Sequence, residues 1–213
     1  MRIDVSDESI TEQLAEYASI PIAFEVSQVL DVDVQENGRI LLSERSVDIA
    51  PYVKDYDAIQ CEGPSQWATR FDVSNWRLFS ACSEGRRVGG AAVAYNAPGL
   101  DMLEGRTDLA VLWDIRVASA LRGLGVGSAL FRAVEAWATM KGCRRLKVET
   151  QNINVPACTF YVRQGCVLEA VRRGVYPGLP DEIQLLWYKD LLQGATAGRR
   201  SSSLSARPTF TRN

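Results

Sequence analysis

The sequence predicts a single mixed α/β (α+β) domain in which one sheet is flanked by helices. Two apolar runs at 76–81 and 87–95, separated by a turn at 83–85, are typical of a β-hairpin. Residues 108–150 show a strand, a helix and a second strand, so these two strands are expected to be parallel neighbours. A chain of 213 residues, of which 46% are hydrophobic and 23% charged, suits one well-filled globular domain.

The elements are assigned in order from the spacing of apolar residues and from turn signals. Helices are expected at 8–18, 21–29, 124–140 and 154–164, with short helical stretches at 51–57 and 64–71. Strands are expected at 39–47, 76–81, 87–95, 108–117, 144–150, 166–175 and 183–191. Glycines close the last two helices, at Gly142 and Gly165, as is common at helix C-termini. The domain is expected to end at residue 193.

Residues 194–213 contain four arginines, no acid and hardly a large apolar side chain, which predicts a disordered basic tail. The whole chain has a net charge of −2 and the tail supplies +4, which leaves −6 for the rest. An acidic body argues against nucleic-acid binding. No apolar stretch approaches the roughly 20 residues that span a bilayer, and the acidic N-terminal sequence does not resemble a signal peptide. We therefore expect a cytoplasmic protein that binds neither nucleic acid nor membrane.

The composition excludes several catalytic classes. The absence of histidine removes Ser-His-Asp and Cys-His catalysis together with the commonest metal ligand. The five cysteines form no CxxC pair, so neither a zinc site nor a disulfide framework is expected, and no metal is predicted. Acid–base chemistry must rely on carboxylates, tyrosine, cysteine, lysine or water. The cysteines are Cys61, Cys82, Cys143, Cys158 and Cys166.

The strongest functional signal is the glycine-rich run LRGLGVG at 121–127. Its glycines follow a strand and open a helix, so backbone N–H groups can face an anion without a Cβ in the way. Arg122 adds a guanidinium suited to phosphate. The spacing does not fit a dinucleotide-binding GxGxxG turn, and a Walker loop would need a lysine between Gly127 and Ser128. A pyrophosphate held by successive amides fits best, and a steric need for glycine at a tight turn is the alternative.

Two segments resemble the Gcn5-related N-acetyltransferases (GNAT). The run from Arg122 to Gly127 matches the family signature R/Q-x-x-G-x-G/A, whose loop holds the pyrophosphate of acetyl-coenzyme A (acetyl-CoA). Residues 149–166 resemble the strand, loop and helix that follow, with Cys166 where phenylalanine is common. The resemblance implies a mixed, mostly antiparallel twisted sheet flanked by helices, the acyl-CoA acyltransferase fold, and acetyl-CoA as co-substrate. The residues implied to contact the cofactor are Ile115, Val117, Arg122, Gly123, Gly125, Val126, Gly127, Ser128, Asn154, Ala157 and Tyr161.

Within this family, several strings are similar to the streptothricin acetyltransferases. They are RSV at 45–47, PYVKDY at 51–56, ETQ at 149–151 and LWY at 186–188. This similarity implies acetylation of an amino group of a cationic small molecule, with a homodimer left open. Acetylation of a protein or peptide amine and a non-catalytic acyl-CoA-binding module are the alternatives.

Asp114 and Glu149 are the candidate bases for deprotonating an amine. Asp114 interrupts an apolar strand, and two-residue alternation places it with Leu112 and Arg116 on the face opposite Trp113. A buried carboxylate is costly unless it is paired, so Asp114 is either the base or a salt-bridge partner. Glu149, on the strand at 144–150, is expected to bind or deprotonate the cationic acceptor, or to form a cross-strand ion pair.

Tyr161 is the third catalytic candidate, through the resemblance. The family's tyrosine in this helix lies near the sulfur and can protonate the departing thiolate, which suits a side chain that is neutral at pH 7. The alternative is a core tyrosine packed beside Phe160. Asn154 is implied to bind the pantetheine arm. Cys158 is not expected to form an acyl-enzyme, because no neighbour is evident that would stabilise its thiolate, so we expect direct transfer in a ternary complex.

The acceptor pocket is predicted from charge and aromatic residues. Residues 31–62 carry eight acids and three bases, and such a surface would steer a polycationic substrate. Solvated acidic loops are the alternative. Four aromatic residues, Tyr52, Tyr56, Trp67 and Trp76, would line the acceptor or fill the core.

Overall fold

The computed structural model describes residues 1–59, 62–191 and 210–212. Its helices are α1 (Ile10–Ala18), α2 (Trp67–Arg70), α3 (Val126–Met140) and α4 (Val155–Arg163). Its strands are β1 (Asp4–Glu8), β2 (Phe24–Val26), β3 (Gln28–Val34), β4 (Ile40–Ser46), β5 (Tyr52–Lys54), β6 (Arg77–Ser83), β7 (Arg86–Tyr95), β8 (Leu109–Val117), β9 (Arg145–Gln151), β10 (Val167–Arg172), β11 (Gln184–Asp190) and β12 (Phe210–Arg212). No helix in these ranges is long and apolar enough to cross a membrane.

Seven strands form one sheet in the hydrogen-bonded order β1-β6-β7-β8-β9-β11-β10. The pairs β1–β6, β6–β7, β7–β8 and β10–β11 are antiparallel. β8 and β9 are neighbours in the order and are joined through α3, which agrees with the predicted strand-helix-strand unit. Two smaller sheets have the orders β12-β4-β3 and β2-β5. The expected fold class, a mixed sheet flanked by helices, is confirmed.

The chain divides into two compact units. The first unit comprises residues 1–24 and 54–147, and the second comprises residues 25–53 and 148–213. The prediction of one domain over residues 1–193 stays a prediction.

In the first unit, two adjacent glycines of β7 seat one helix on each face of the sheet. A Cβ on Gly89 would lie 3.0 Å from the side chain of Val126 in α3 and 2.9 Å from the carbonyl oxygen of Arg116. A Cβ on Gly90 would lie 2.7 Å from the ring of Tyr17 in α1. Successive residues of a strand face opposite sides, so α3 packs on one face of β7 and α1 on the other. Both helices approach the backbone more closely than any larger residue would allow.

In the second unit, α4 packs against β3, and the side chain of Asn152 connects two segments. The amide Nδ2 of Asn152 donates to the carbonyl oxygen of Leu30 at 3.1 Å. Its Oδ1 accepts from the backbone N–H of Ile183 at 2.8 Å. Asn152 is 6% exposed, so these bonds satisfy a buried polar side chain.

Some local predictions were wrong. Residues 21–29, predicted as a helix, contain β2 and the start of β3. The alternation of Leu, Asp and Val along 30–34 favours a strand, and it outweighed the helical spacing. Residues 51–57, predicted as helical, contain β5. β1 was not predicted, because its mostly polar sequence carries little periodic signal and its pairing with β6 supplies the backbone partners.

The predicted tail at 194–213 lies outside the described residues except for β12. β12 pairs in parallel with β4, with Phe210 opposite Leu42 and Arg212 opposite Glu44. These three residues are therefore extended and paired, although composition predicted no structure for them. Backbone hydrogen bonds of this kind form with little dependence on side-chain type.

Candidate active site

The predicted glycine loop lies between β8 and α3 in the first unit. Gly123 and Gly125 have φ values of 81° and 91°, in the left-handed region that favours glycine, and Gly125 is the N-cap of α3. Residues 122–125 are exposed. The N–H of Ala129 donates to the carbonyl oxygen of Gly125 at 3.0 Å, which is the first helical hydrogen bond of α3. The amides of residues 126–128 come before Ala129, in the first turn of the helix. An exposed glycine turn in front of a helix N-terminus fits the pyrophosphate of acetyl-CoA.

Arg122 fixes the position of this loop. Its Nε donates to the carbonyl oxygen of Val117 at 3.1 Å. Its Nη1 and Nη2 donate to the carbonyl oxygens of Ala23 and Pro21 at 3.1 and 3.2 Å. Three of the five guanidinium N–H donors are thus engaged by backbone. The loop is held against the end of β8 and the segment after α1, and a direct contact of Arg122 with phosphate stays a prediction.

β8 contains a β-bulge at Trp113. Ala92 of β7 pairs with Asp114 and Val93 pairs with Leu112, so Trp113 is an extra residue on β8. A bulge of this kind re-aims the side chains that follow it, and bulges often lie next to active sites.

The bulge overturns the predicted alternation along β8. Val111 packs in the same core cluster as Tyr17 of α1. The guanidinium of Arg116 lies 5.1 Å from the centroid of the Tyr17 ring, and its Nε is bonded to Asp114. Asp114 and Arg116 therefore share a face with Val111, whereas unbroken alternation placed them opposite. The physical reason is the extra residue, which shifts the pleat by one position.

Asp114 is a buried ion-pair partner. Its Oδ2 accepts from Nε of Arg116 at 2.6 Å, and its side chain is 7% exposed. Arg116 also donates to Asp57 in two bonds of 2.5 and 2.8 Å and to the carbonyl oxygen of Ile20 at 3.3 Å. Burial raises the pKa of the Asp114 carboxyl, and the positive charge of Arg116 opposes this rise. The structure shows the salt bridge of Asp114 to Arg116, and a role of Asp114 in catalysis stays a prediction.

Glu149 lies in the second unit, where three neutral side chains donate hydrogen bonds to its carboxylate. The hydroxyl of Tyr176 donates to Oε1 at 2.6 Å, and Nε2 of Gln184 donates to Oε2 at 2.8 Å. Nε2 of Gln151 lies 3.0 Å from the Tyr176 oxygen and 3.4 Å from Oε1. Burial raises the pKa of Tyr176, and the negative charge of Glu149 adds to this rise. We call these four side chains the Glu149 network.

Sequence reasoning missed the other three members of the Glu149 network. Gln151 shares a strand face with Glu149 because the two residues are two positions apart, and this signal is visible in the sequence. Tyr176 and Gln184 are 27 and 35 positions from Glu149, and no local pattern connects them to it.

Helix α4 carries the predicted pantetheine and thiolate partners. Asn154 is its N-cap, and Oδ1 of Asn154 accepts from the N–H of Ala157 at 3.2 Å. Tyr161 is 5% exposed, and its ring centroid lies 5.1 Å from that of Phe160 in an edge-on arrangement. The contacts of Asn154, Ala157 and Tyr161 with the cofactor stay predictions.

Cys158 is a buried thiol on the same helix. Its Sγ lies 3.3 Å from the hydroxyl of Thr150, and burial raises its pKa to about 12. A thiol with this pKa is almost entirely protonated at neutral pH and is a poor nucleophile. Cys82, Cys143 and Cys166 are also free thiols, and Cys61 lies outside the described residues. In the described ranges no group of three or more acidic or cysteine side chains is arranged to hold a metal ion.

The residues proposed for the acceptor separate into two groups. Trp67 and Trp76 are 3% and 4% exposed in the core of the first unit, which corresponds to the core-filling alternative. Tyr52, 38% exposed, lines a cavity of about 570 Å³ in the second unit. Asp31 and Asp48 also line this cavity, and both pair with Arg45, at 2.9 and 3.0 Å. The acidic character predicted for this region is therefore partly neutralised.

Comparison with known proteins identifies the family. Residues 49–166, more than half of the chain, match the model described as the acetyltransferase (GNAT) family. The chain belongs to this family. As a GNAT protein it is an N-acetyltransferase that uses acetyl-CoA as its co-substrate, as the sequence motifs implied.

The most informative relatives are streptothricin acetyltransferases. The chain is 30% identical over 183 residues to the streptothricin acetyltransferase of Escherichia coli, covering 84% of this chain and 92% of that protein. It is 29% identical over 160 residues to the streptothricin acetyltransferase of Streptomyces lavendulae, covering 75% and 79% of the two chains. A crystal structure of a candidate streptothricin acetyltransferase from Bacillus anthracis str. Ames, in complex with acetyl-CoA, has a TM-score of 0.71 and 25% identity. That alignment covers 89% of this chain and 99% of the other.

Proposed function

We propose that this N-acetyltransferase acetylates an amino group of streptothricin or of a closely similar cationic antibiotic. The observation that carries the proposal is the similarity to the Escherichia coli streptothricin acetyltransferase, which extends over 92% of that protein. The aligned 183 residues extend well beyond the glycine loop at 122–127.

For the acetyl donor, we propose that the amides of residues 126–128 at the start of α3 bind the pyrophosphate. The left-handed glycines form an exposed turn without Cβ atoms, and Arg122 holds this turn in place through its three bonds to carbonyl oxygens. The end of β8, with Ile115 and Val117, would lie along the pantetheine arm.

For the chemistry, we propose direct transfer with Glu149 as the proton acceptor. An alkyl ammonium has a pKa of about 10.4, so it must lose a proton before its nitrogen can attack the thioester carbonyl. The ammonium gives its first proton to Glu149, and the free amine forms the C–N bond as the C–S bond breaks. Tyr161 protonates the departing thiolate and is reprotonated by the second proton, which the nitrogen loses as it becomes an amide. Asp114 is less suited to this role, because its carboxylate is buried against Arg116. Cys158, whose pKa is raised to about 12, is unsuited to an acyl-enzyme route.

The test is a panel assay of thiol release from acetyl-CoA. The panel contains streptothricin, an aminoglycoside, a polyamine and a lysine-containing peptide, each with a no-acceptor control for hydrolysis. We expect release with streptothricin well above hydrolysis, together with acetylated product detected by mass spectrometry. If the lysine-containing peptide were the one acceptor that gave release and streptothricin gave none, the acceptor would be a protein or peptide amine and not the antibiotic. No release with any amine, but tight acetyl-CoA binding, would favour a binding module.

We further propose that the protein acts in the cytoplasm, where acetyl-CoA is available. The expectations that it binds neither nucleic acid nor membrane, and the open homodimer, stay predictions. Light scattering after size-exclusion chromatography measures the oligomeric state directly.

A further inference from the structure

We infer that Tyr176 and Gln184 are positioning residues that hold Glu149 ionised and in one orientation for the acceptor amine. The inference rests on the proposed function for the reaction that Glu149 serves. Its physical content, the state of one carboxylate, is measurable without any acceptor.

Both oxygens of the Glu149 carboxylate accept hydrogen bonds from neighbouring side chains. A carboxylate can accept about four hydrogen bonds, two on each oxygen. Oε1 of Glu149 receives the hydroxyl of Tyr176 at 2.6 Å and the weaker contact from Gln151 at 3.4 Å. Oε2 receives Nε2 of Gln184 at 2.8 Å. Each oxygen of Glu149 is therefore held by at least one donor, which restricts the orientations that its carboxylate can adopt.

The donors favour the ionised carboxylate. Hydrogen bonds donated to a charged acceptor stabilise the charged form, and 2.6 Å is typical of a strong O–H to carboxylate bond. The pKa of Tyr176 is raised by burial and by the charge of Glu149, so Tyr176 stays a donor at neutral pH. Among the side chains described as donating to Glu149, from β9, β11 and the segment 173–183, Tyr176 is the titratable one.

Gln184 supports the inference independently, through the orientation of its amide. A carboxylate only accepts hydrogen bonds, so Nε2 of Gln184 must face Glu149. Its Oε1 is then left buried with no hydrogen-bond partner in the described part of the chain, and the residue is 9% exposed. A buried acceptor without a partner is unfavourable. A glutamine that served only for packing would gain stability if an apolar group replaced this amide. A glutamine that orients Glu149 would lose its bond to the carboxylate.

The segment that carries Tyr176 is anchored on both sides within the second unit. Nη2 of Arg173 donates to the carbonyl oxygen of Val32 at 2.7 Å. The N–H of Ile183 donates to Oδ1 of Asn152 at 2.8 Å. These bonds define where the segment lies, and Tyr176 is therefore presented to Glu149 from a fixed position.

The test is a titration of the Glu149 carboxyl by carbon-13 NMR in the free protein, with the signal assigned by Glu149→Gln. The variants are Tyr176→Phe and Gln184→Met, and the matched control is Tyr95→Phe on β7. We expect the carboxyl midpoint to move up by about one to two pH units in each variant, because a bond that favours the anion is lost. The control should leave the midpoint unchanged. With an amine that the panel assay identifies as a substrate, the midpoint of the acidic limb of the pH profile of kcat/KM should move up by the same amount.

Stability separates this role from a structural one. Gln184→Met removes the buried unpaired carbonyl but also a bond that stabilises the Glu149 anion, so its melting temperature at neutral pH should change little while the midpoint still moves. An unchanged midpoint in folded Gln184→Met and Tyr176→Phe would overturn the inference. If Tyr176→Phe does not fold, Gln184→Met decides alone. If the panel finds no acetylated amine but the midpoints move, the proposed function fails and the positioning of Glu149 stands.

Discussion

Replacing Asp114 should reduce stability, whereas replacing Glu149 should reduce activity. In Asp114→Asn the amide oxygen can still accept from Nε of Arg116, but the charge of the 2.6 Å bond is lost. Arg116 keeps its two bonds to Asp57, so it is not left as a buried charge without a partner. The loss of unfolding free energy in Asp114→Asn should therefore be smaller than the roughly 3–5 kcal/mol expected for a fully broken buried pair.

The magnitude follows from the single charged hydrogen bond. Such a bond contributes about 1.5–3 kcal/mol. In a chain of this size, each kcal/mol lowers the melting temperature by about 2–4 °C, so we expect a decrease of roughly 3–12 °C. Once folded, Asp114→Asn should retain kcat/KM within about tenfold, because Asp114 is not the proposed base. Glu149→Gln should lose about 10²–10⁴-fold in kcat/KM, the usual contribution of a general base, and it should also lower the melting temperature, because the charge of its bonds with Tyr176 and Gln184 is lost.

Two assays on the same preparations decide between these outcomes. Thermal unfolding followed by circular dichroism gives the melting temperature, and thiol release from acetyl-CoA with the active amine gives kcat/KM. Binding of coenzyme A, measured by calorimetry, controls for an intact cofactor loop in both variants. A loss of activity above 100-fold in a fully stable Asp114→Asn, with Glu149→Gln active, would refute the assignment and make Asp114 the base.

Three further predictions concern glycines and a cysteine. Gly90→Ala should destabilise the protein by about 1–3 kcal/mol in chemical denaturation, because its Cβ would lie 2.7 Å from an aromatic ring of α1. Gly63→Ala, at φ −64° and with its nearest contact at 3.8 Å, should change stability little, and equal losses would contradict the packing argument. Gly125→Ala should weaken coenzyme A binding about 5- to 30-fold by calorimetry, from the 1–2 kcal/mol cost of a left-handed residue. Gly99→Ala carries similar strain at φ +80° and should bind normally. Cys158→Ala should keep kcat within a few-fold, and in the natural folded protein alkylation of this thiol should be negligible at pH 8, because it is 0% exposed and burial raises its pKa to about 12. A stoichiometric burst of thiol release without acceptor would instead indicate an acyl-enzyme.

The local predictions that held depend on residues close together in sequence. The glycine loop forms at 122–127 because glycine can adopt the positive φ values found at Gly123 and Gly125 without the steric cost of a Cβ. The helix that follows extends over Val126–Met140, as its apolar spacing predicts. The predictions that were wrong, such as the helix at 21–29, involve short segments in which pairing with another strand outweighs local preference.

The sequence alone determined the family, the cofactor and the loop that fits it, because these follow from glycine positions and motif order. The tertiary structure decided which way Asp114 faces and what surrounds Glu149. The bulge at Trp113 exists only relative to the register with β7, and a single sequence does not specify register. Two of the three partners of Arg122 are 99 and 101 positions away, and two of the three partners of Glu149 are 27 and 35 positions away. Contacts over such separations arise from packing of whole elements, so the sequence left the choice between Asp114 and Glu149 open, and the folded surroundings of the two carboxylates support Glu149 as the proposed base.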